Sequence, residues 1–370
     1  MSDDPRLPEL FAIASDLAPG PRAAWLATLG RDEPELAREL SELLAAACDT
    51  TELLDRSPLP FGAAAAPALP LRVGPYRVLR ELGRGGMGRV YLAEQEGDGF
   101  RRTVALKLLQ GTAATPQALL RFASEVRILA TLEHPGIARF LDGGRTSDGI
   151  GYIALEYVEG VDLLAHAAAG ELDVEARLQL FLAVLDAVAY AHGRHVVHRD
   201  LKPSNVLVGT DGRPRLLDFG ISKLVDADAQ GQPTRTEMRA LTPAYASPEQ
   251  MRGDPVTAAS DLYSLGVVLY ELLTGARPYR TTSGTPRELE RAVLEEDPEP
   301  PSTAARRARR AEESKDDAAT STQSTTRPPA GDIDPDLDAI CLKALRKEPA
   351  ARYATVADFA ADLRRYLAGE

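Results

Sequence analysis

Residues 198–205 read His-Arg-Asp-Leu-Lys-Pro-Ser-Asn, and Asp218-Phe219-Gly220 follows shortly after. Together they set a carboxylate, Asp200, beside an ammonium, Lys202, and an amide, Asn205, and then add a second carboxylate, Asp218. Phosphoryl transfer from a nucleotide needs such a set: a carboxylate to receive a hydroxyl proton, a cation to offset charge on the moving group, and hard oxygen ligands for Mg²⁺. Asp-Phe-Gly alone is common by chance. The two stretches in this order, each with these neighbours, are a specific signal.

Toward the N-terminus, Gly83-x-Gly85-x-x-Gly88-x-Val90 is a candidate phosphate loop. Glycines let backbone N–H groups approach phosphate oxygens with no Cβ in the way. A dinucleotide-binding loop of the same spelling must open a helix. Here Arg89-Val90-Tyr91-Leu92-Ala93 alternates as a strand, so the expectation is a strand–loop–strand flap; an ordinary glycine-rich hairpin is the plainer reading. Val104-Ala105-Leu106-Lys107 places a lysine inside an apolar strand. A buried ammonium must be paired, and Glu125, on a helix expected over 116–132, is the candidate partner.

The chain has 370 residues, enough for one large two-lobed domain or two to three small ones, and its 44 % hydrophobic content supports a packed core. A net charge of −12 argues against a general nucleic-acid or anionic-membrane binder. Cys48 and Cys341 lie far apart, which fits inert thiols in a reducing cytoplasm better than a disulfide scaffold. The acidic start, Met1-Ser2-Asp3-Asp4, is unlike a secretory signal. The longest apolar run, 178–191, carries Asp186 and is too short to span a bilayer. A chain with no membrane segment of its own is expected, and its end at Glu370 leaves room for an anchor further on.

Periodicity divides the chain into residues 1–56, read as a helical element for docking or regulation or as a helical cap; a Pro/Ala-rich linker, 57–70; a mostly β lobe, 71–160; and a mainly helical lobe, 161–370. Strands are expected at 76–82, 89–94, 103–109, 137–142 and 152–157, and clear helices at 174–193 and 259–273. Residues 299–332 carry Arg306, Arg307, Arg309 and Arg310 and then a Ser/Thr-rich run, and read as a mobile insertion.

These motifs resemble those of protein kinases, most closely the bacterial eukaryote-like (Hanks-type) Ser/Thr protein kinases, over about residues 74–368. Gly85-Gly86-Met87-Gly88 and Tyr245-Ala246-Ser247-Pro248-Glu249-Gln250 carry the bacterial flavour. The resemblance implies an α+β bilobal kinase fold, and transfer of the ATP γ-phosphoryl group to Ser/Thr hydroxyls of proteins with Mg²⁺ or Mn²⁺. It casts Asp200 as catalytic base, Lys202 as the cation on the γ-phosphoryl group, Lys107 paired with Glu125 and gripping phosphates, and Asn205 and Asp218 as metal ligands. Gly83, Gly85 and Gly88 would cover the phosphates. Adenine would lie between Val90 and Ala105 above and Leu207 below, with Leu155 gating the rear and Glu156 and Val158 offering backbone hydrogen bonds.

By the same alignment Leu129, Phe140, His198 and Phe219 stack as a column linking the lobes, Asp261 anchors the catalytic-loop backbone, and Arg352 pairs with Glu249. Ser247 in place of the usual Ala, Leu241 before Thr242, and Glu348 in place of Asp depart from the pattern. Lys202 and Thr242 go with Ser/Thr acceptors. Thr234 and Thr236 are the expected sites of activating autophosphorylation, met by Arg199 and carried out in trans between two transiently paired copies; the competing reading has Glu237 supply that anion permanently. A pseudokinase scaffold would have lost Lys107, Asp200 or Asp218. A small-molecule phosphotransferase would lack the segment from Asp218 to Glu249.

Overall fold

Apolar–polar alternation at 76–97 and 100–109 builds the centre of a six-stranded antiparallel sheet. The computed structural model describes residues 26, 29, 30, 33, 36–38, 72–85, 88–97, 100–109, 126–146, 149–219, 243–281, 285–316 and 332–370. The strands are β1 (Arg72–Val73), β2 (Tyr76–Gly85), β3 (Gly88–Gly97), β4 (Phe100–Leu109), β5 (Phe140–Arg145) and β6 (Gly151–Glu156), in the order β1-β2-β3-β4-β6-β5. One face of the sheet has its own small core of Val73, Tyr76, Tyr91, Ala93, Val104, Leu106, Tyr152 and Ala154. By the period of two, Val90, Ala105, Lys107, Ile153 and Leu155 lie on the other face. The register, Val90 opposite Lys107, Lys107 opposite Ile153 and Ala105 opposite Leu155, sets them side by side.

The strand expected at 137–142 is displaced. It runs from Phe140 to Arg145, while Ile137 makes an isolated parallel bridge to Leu216. The extended reading was right in kind, but the hydrogen bonds of this stretch go elsewhere: Ala138 N–H donates to Leu216 O and Leu216 N–H to Gly136 O, both at 2.8 Å.

The helical lobe follows with α1 (Leu163–Ala169), α2 (Val174–His192), a second sheet of β7 (Gly160–Asp162), β8 (Val206–Gly209) and β9 (Pro214–Leu216), α3 (Pro248–Arg252) and α4 (Ala258–Thr274). Then come α5 (Pro286–Glu295), α6 (Pro301–Asp316), α7 (Pro335–Ala344) and α8 (Val356–Ala368). Asp162 and Asp173 cap α1 and α2 through backbone N–H groups of the first turn. Helix α4 is buried on every side from Ser260 to Thr274 and sits inside the core, with Leu265, Val267, Leu269, Leu272 and Leu273 among its packed residues.

The expectation that 299–332 is a mobile insertion is corrected over its first half. Pro301–Asp316 is a helix, and its Ala304 and Ala305 are buried at 1 % and 2 % exposure. Ser302, at the helix start, gives its N–H and Oγ–H to the two Asp338 oxygens at 2.7 and 2.6 Å, so an acid on α7 caps the helix. Two of its four arginines pair with acids of the fold, Arg307 with Glu299 and Arg309 with Asp332. Small alanines and long basic stems conceal such a packed face from a hydrophobicity pattern. Residues 317–331 lie outside the described residues.

The chain divides into two units, Met1–Ala68 with Thr281–Glu288, and Leu69–Arg280 with Leu289–Glu370. In the first, Glu33 N–H reaches Leu29 O and Ala37 N–H reaches Glu33 O, helical bonds consistent with the helical reading of 1–56 at these few positions. Among the described residues no helix is long and apolar enough to cross a membrane.

Candidate active site

Helix α2 delivers the chain into the catalytic loop, and α4 holds that loop from below. Asp261, in the first turn of α4 and 1 % exposed, accepts His198 N–H at 2.7 Å, Arg199 N–H at 2.8 Å and the His192 Nε2 contact at 2.8 Å. Three donors satisfy a buried carboxylate that would otherwise be costly. The bond from Arg199 N–H also fixes an uncommon backbone, φ +68°, and Asp218 is a second residue of this kind with φ +45°. Left-handed conformations at such residues cost of order 1–3 kcal/mol each and persist where their surroundings enforce them.

His198 is fully buried, and burial holds its ring below the usual histidine range, so it is neutral. Nε2–H then donates to Leu217 O at 2.9 Å, and Nδ1 faces Asp200 N–H at 3.4 Å. Its ring packs against Phe219 with centroids 4.8 Å apart. Leu129, Phe140, Leu155, Asp218 and Phe219 line one small apolar cavity, which brings residues of the sheet together with those after β9.

The groups expected to carry chemistry come together in pairs. Lys107 Nζ lies 2.8 Å from Asp218 Oδ2, and Lys202 Nζ lies 3.1 Å from Asp200 Oδ2. Asn205 Nδ2 donates to Asp200 O at 2.7 Å and contacts Oδ2 at 3.3 Å. Glu125, the expected partner of Lys107, lies outside the described residues; Asp218 is the partner the structure gives it.

Asp218 Oδ1 is buried with no hydrogen-bond partner among the described residues. An orphaned carboxylate oxygen fits a hard cation, and Asn205, its amide nitrogen spent on Asp200, brings a second oxygen donor. Among the described residues no group of three or more His, Cys, Asp or Glu is disposed to hold a metal. Mg²⁺ on substrate phosphates asks for less, one or two carboxylates, and Asp218 with Asn205 fits that need.

On the sheet, Val90 and Ala105 share the face of Lys107, and Leu155 stands opposite Ala105. Leu207 is on β8, paired with Asp162 just beyond the chain crossing from sheet to helices. Glu156 N–H donates to Arg139 O at 2.8 Å, and Val158 is buried. Gly83 and Gly85 are at the end of β2, and Gly85 pairs with Gly88 at the hairpin. Gly88 has φ +142°, and a Cβ there would lie 2.0 Å from Leu108 O, so its own sheet already demands glycine. Thr234, Thr236, Glu237, Leu241 and Thr242 lie outside the described residues.

The Glu249–Arg352 pair is bidentate and buried, with two N–O distances of 2.7 Å. Sequence reasoning missed what stands beside it. Ser247, read as a departure, caps α3: its Oγ accepts Gln250 N–H at 3.3 Å, and Gln250 Oε1 accepts Ser247 N–H at 3.0 Å. Gln250 Nε2 then donates to Arg199 O at 2.9 Å, next to Asp200. The signal was present, because Ser-x-x-Gln is a capping-box spelling.

The protein kinase domain family matches residues 76–360. Serine/threonine-protein kinase PknB of Mycobacterium tuberculosis is 36 % identical over 301 residues, covering 80 % of this chain and 43 % of that protein. Serine/threonine-protein kinase pkn3 of Myxococcus xanthus is 36 % identical over 296 residues, covering 78 % of this chain and 49 % of that protein. The chain thus spans less than half the length of these relatives. Among solved structures, a point mutant of the Mycobacterium tuberculosis PknI kinase domain superposes with a TM-score of 0.56 at 28 % identity, covering 82 % of this chain and 100 % of that one. The chain belongs to the protein kinase family, among the bacterial Hanks-type serine/threonine kinases.

Proposed function

We propose that this protein transfers the γ-phosphoryl group of ATP to serine and threonine hydroxyls of protein substrates. The observation that carries the reading is the pairing of Lys107 with Asp218 and of Asp200 with Lys202 and Asn205 in one cleft. Asp200 orients the acceptor hydroxyl and receives its proton. Lys202, 3.1 Å from that carboxylate, offsets charge on the moving phosphoryl group. Lys107 holds the α and β phosphates on the sheet side, and Val90, Ala105 and Leu207 enclose the base. Asn205 and the orphaned Asp218 oxygen would hold Mg²⁺, which when bound neutralises phosphate charge. Thr234 and Thr236 are the proposed sites of activating phosphorylation, transferred in trans between two copies and read by Arg199.

The pseudokinase alternative finds no support, since Lys107, Asp200 and Asp218 are all present. Asp200→Asn tests the assignment: turnover should fall by about two to four powers of ten. Retention of activity within about tenfold of the parent removes Asp200 as the base. Undiminished turnover in excess EDTA removes the metal role of Asn205 and Asp218.

A further inference from the structure

Lys347 lies outside the motifs that drew attention in the sequence, on the loop between α7 and α8. Its ammonium is half-buried and makes three contacts that converge from different parts of the helical lobe. Nζ donates to Tyr279 Oη at 2.7 Å and to Val293 O at 2.6 Å, and lies 3.4 Å from Ala292 O. Tyr279 Oη accepts a second bond, from Tyr263 of α4, at 2.9 Å. A charged donor on the last carbonyls of a helix such as α5 is favourable on both hydrogen-bond and dipole grounds.

The backbone of the same loop serves a second cation. Arg352 gives Nη2–H to Lys347 O at 2.9 Å and Nε–H to Arg346 O at 2.8 Å. Its guanidinium rests over the Tyr263 ring at 5.1 Å. Arg352 then holds Glu249, and the next residue, Gln250, holds Arg199 O. The Lys347 side chain thus ties its loop to Tyr279 and α5, and from the backbone of that loop hydrogen bonds run through Arg352, Glu249 and the neighbouring Gln250 to the residue before Asp200. If the Lys347 side chain lets go, the carbonyls that aim Arg352 move with the loop.

We infer that Lys347 is a positioning residue for the catalytic loop, acting through Arg352, Glu249 and Gln250. The inference rests on the phosphoryl-transfer reading for its kinetic consequence, but not for its structural one. It separates Lys347 from a residue that merely stabilises α5. A purely structural lysine would change stability and leave the catalytic loop's order and kcat alone.

The test uses the full chain, with Lys347→Met, Lys347→Arg, Gln250→Ala and the Lys347→Met/Gln250→Ala double variant. Two quantities are measured: kcat and KM for ATP on a generic Ser/Thr peptide, and hydrogen-exchange protection at the amides of residues 198–205. Lys347→Met should lower kcat about tenfold, leave KM for ATP within about twofold, and reduce protection at 198–205. Lys347→Arg should restore at least half of the lost kcat. In the Gln250→Ala background the same Lys347→Met change should cost less than about twofold, because the final link is already gone.

Unchanged kcat and protection in folded Lys347→Met overturn the inference, as do fully additive effects in the double variant. Should Lys347→Met fail to fold, Tyr279→Phe removes one of the three contacts and must lower protection at 198–205 for the inference to stand. If the parent itself transfers no phosphate, the functional reading has failed, and the exchange measurement alone decides the fate of this one.

Discussion

Replacing Arg352 by Met should be among the most damaging single changes outside the cleft. The Arg352 side chain is 0 % exposed and Glu249 is 5 % exposed, and the two are joined by parallel bonds of 2.7 Å. Arg352 also satisfies three carbonyls, Arg346 O, Lys347 O and Ala259 O. Methionine fills much of the volume but strands a buried carboxylate. Breaking a buried pair from one side costs about 3–5 kcal/mol. Glu249→Gln should cost less, about 1–3 kcal/mol, since Arg352 keeps its three carbonyls and the amide oxygen still accepts.

The two variants also differ in pH dependence. Burial pushes the Glu249 carboxyl up, but the Arg352 hydrogen bonds and charge outweigh it and hold the group below its ordinary value of 4.5. A carboxyl depressed in the folded state contributes stability that is fully present above the unfolded value and lost as pH falls through the folded one. Subtracting the Glu249→Gln stability curve from that of the parent should therefore leave an increment that is flat above about pH 5 and shrinks below it. Urea unfolding followed by fluorescence and circular dichroism, from about pH 3.5 to 7.5, measures both effects. An Arg352→Met cost under about 1 kcal/mol, or a difference curve with no acid limb, would refute this account of the pair.

Gly88→Ala should lower stability by about 1–3 kcal/mol and weaken ATP binding, because φ +142° and the Leu108 carbonyl leave no room for a Cβ; thermal melts and ATP titration check this. Ala305→Asp should destabilise the protein by about 2–4 kcal/mol, since it buries an unpaired charge on α6, whereas deleting 317–331 should leave peptide turnover nearly unchanged. Thr234→Ala with Thr236→Ala should lower activity by about tenfold or more, and full activity with no phosphate in 221–241 would favour the constitutive reading that rests on Glu237.

Much of the site was legible because its chemistry dictates residue types at short spacing. Asp200, Lys202 and Asn205 lie within six residues, and Asp261 and the Glu249–Arg352 pair followed once the family resemblance was in hand. What escaped was set by tertiary context. Strands β7, β8 and β9 have three or four residues each, too few to show a period. Helix α6 buries only small alanines in the core while its other positions are largely charged, so its charge count spoke for disorder. The Lys107–Asp218 contact at 2.8 Å joins residues 111 positions apart, a matter of folded geometry. Lys347 carries no local signature, because its partners come from α5 and from Tyr279, 54 and 68 positions away in sequence.

The central claim meets its most direct test in one reaction: the purified chain, Mg²⁺, γ-labelled ATP and a mixed panel of peptide acceptors, followed by mass-spectrometric mapping of phosphate on peptides and on the chain itself. The account predicts phosphoserine and phosphothreonine on the peptides, phosphate on the chain between 221 and 241, and neither in Asp200→Asn. Label confined to phosphotyrosine or to small molecules, or transfer by Asp200→Asn at the rate of the parent, would contradict it.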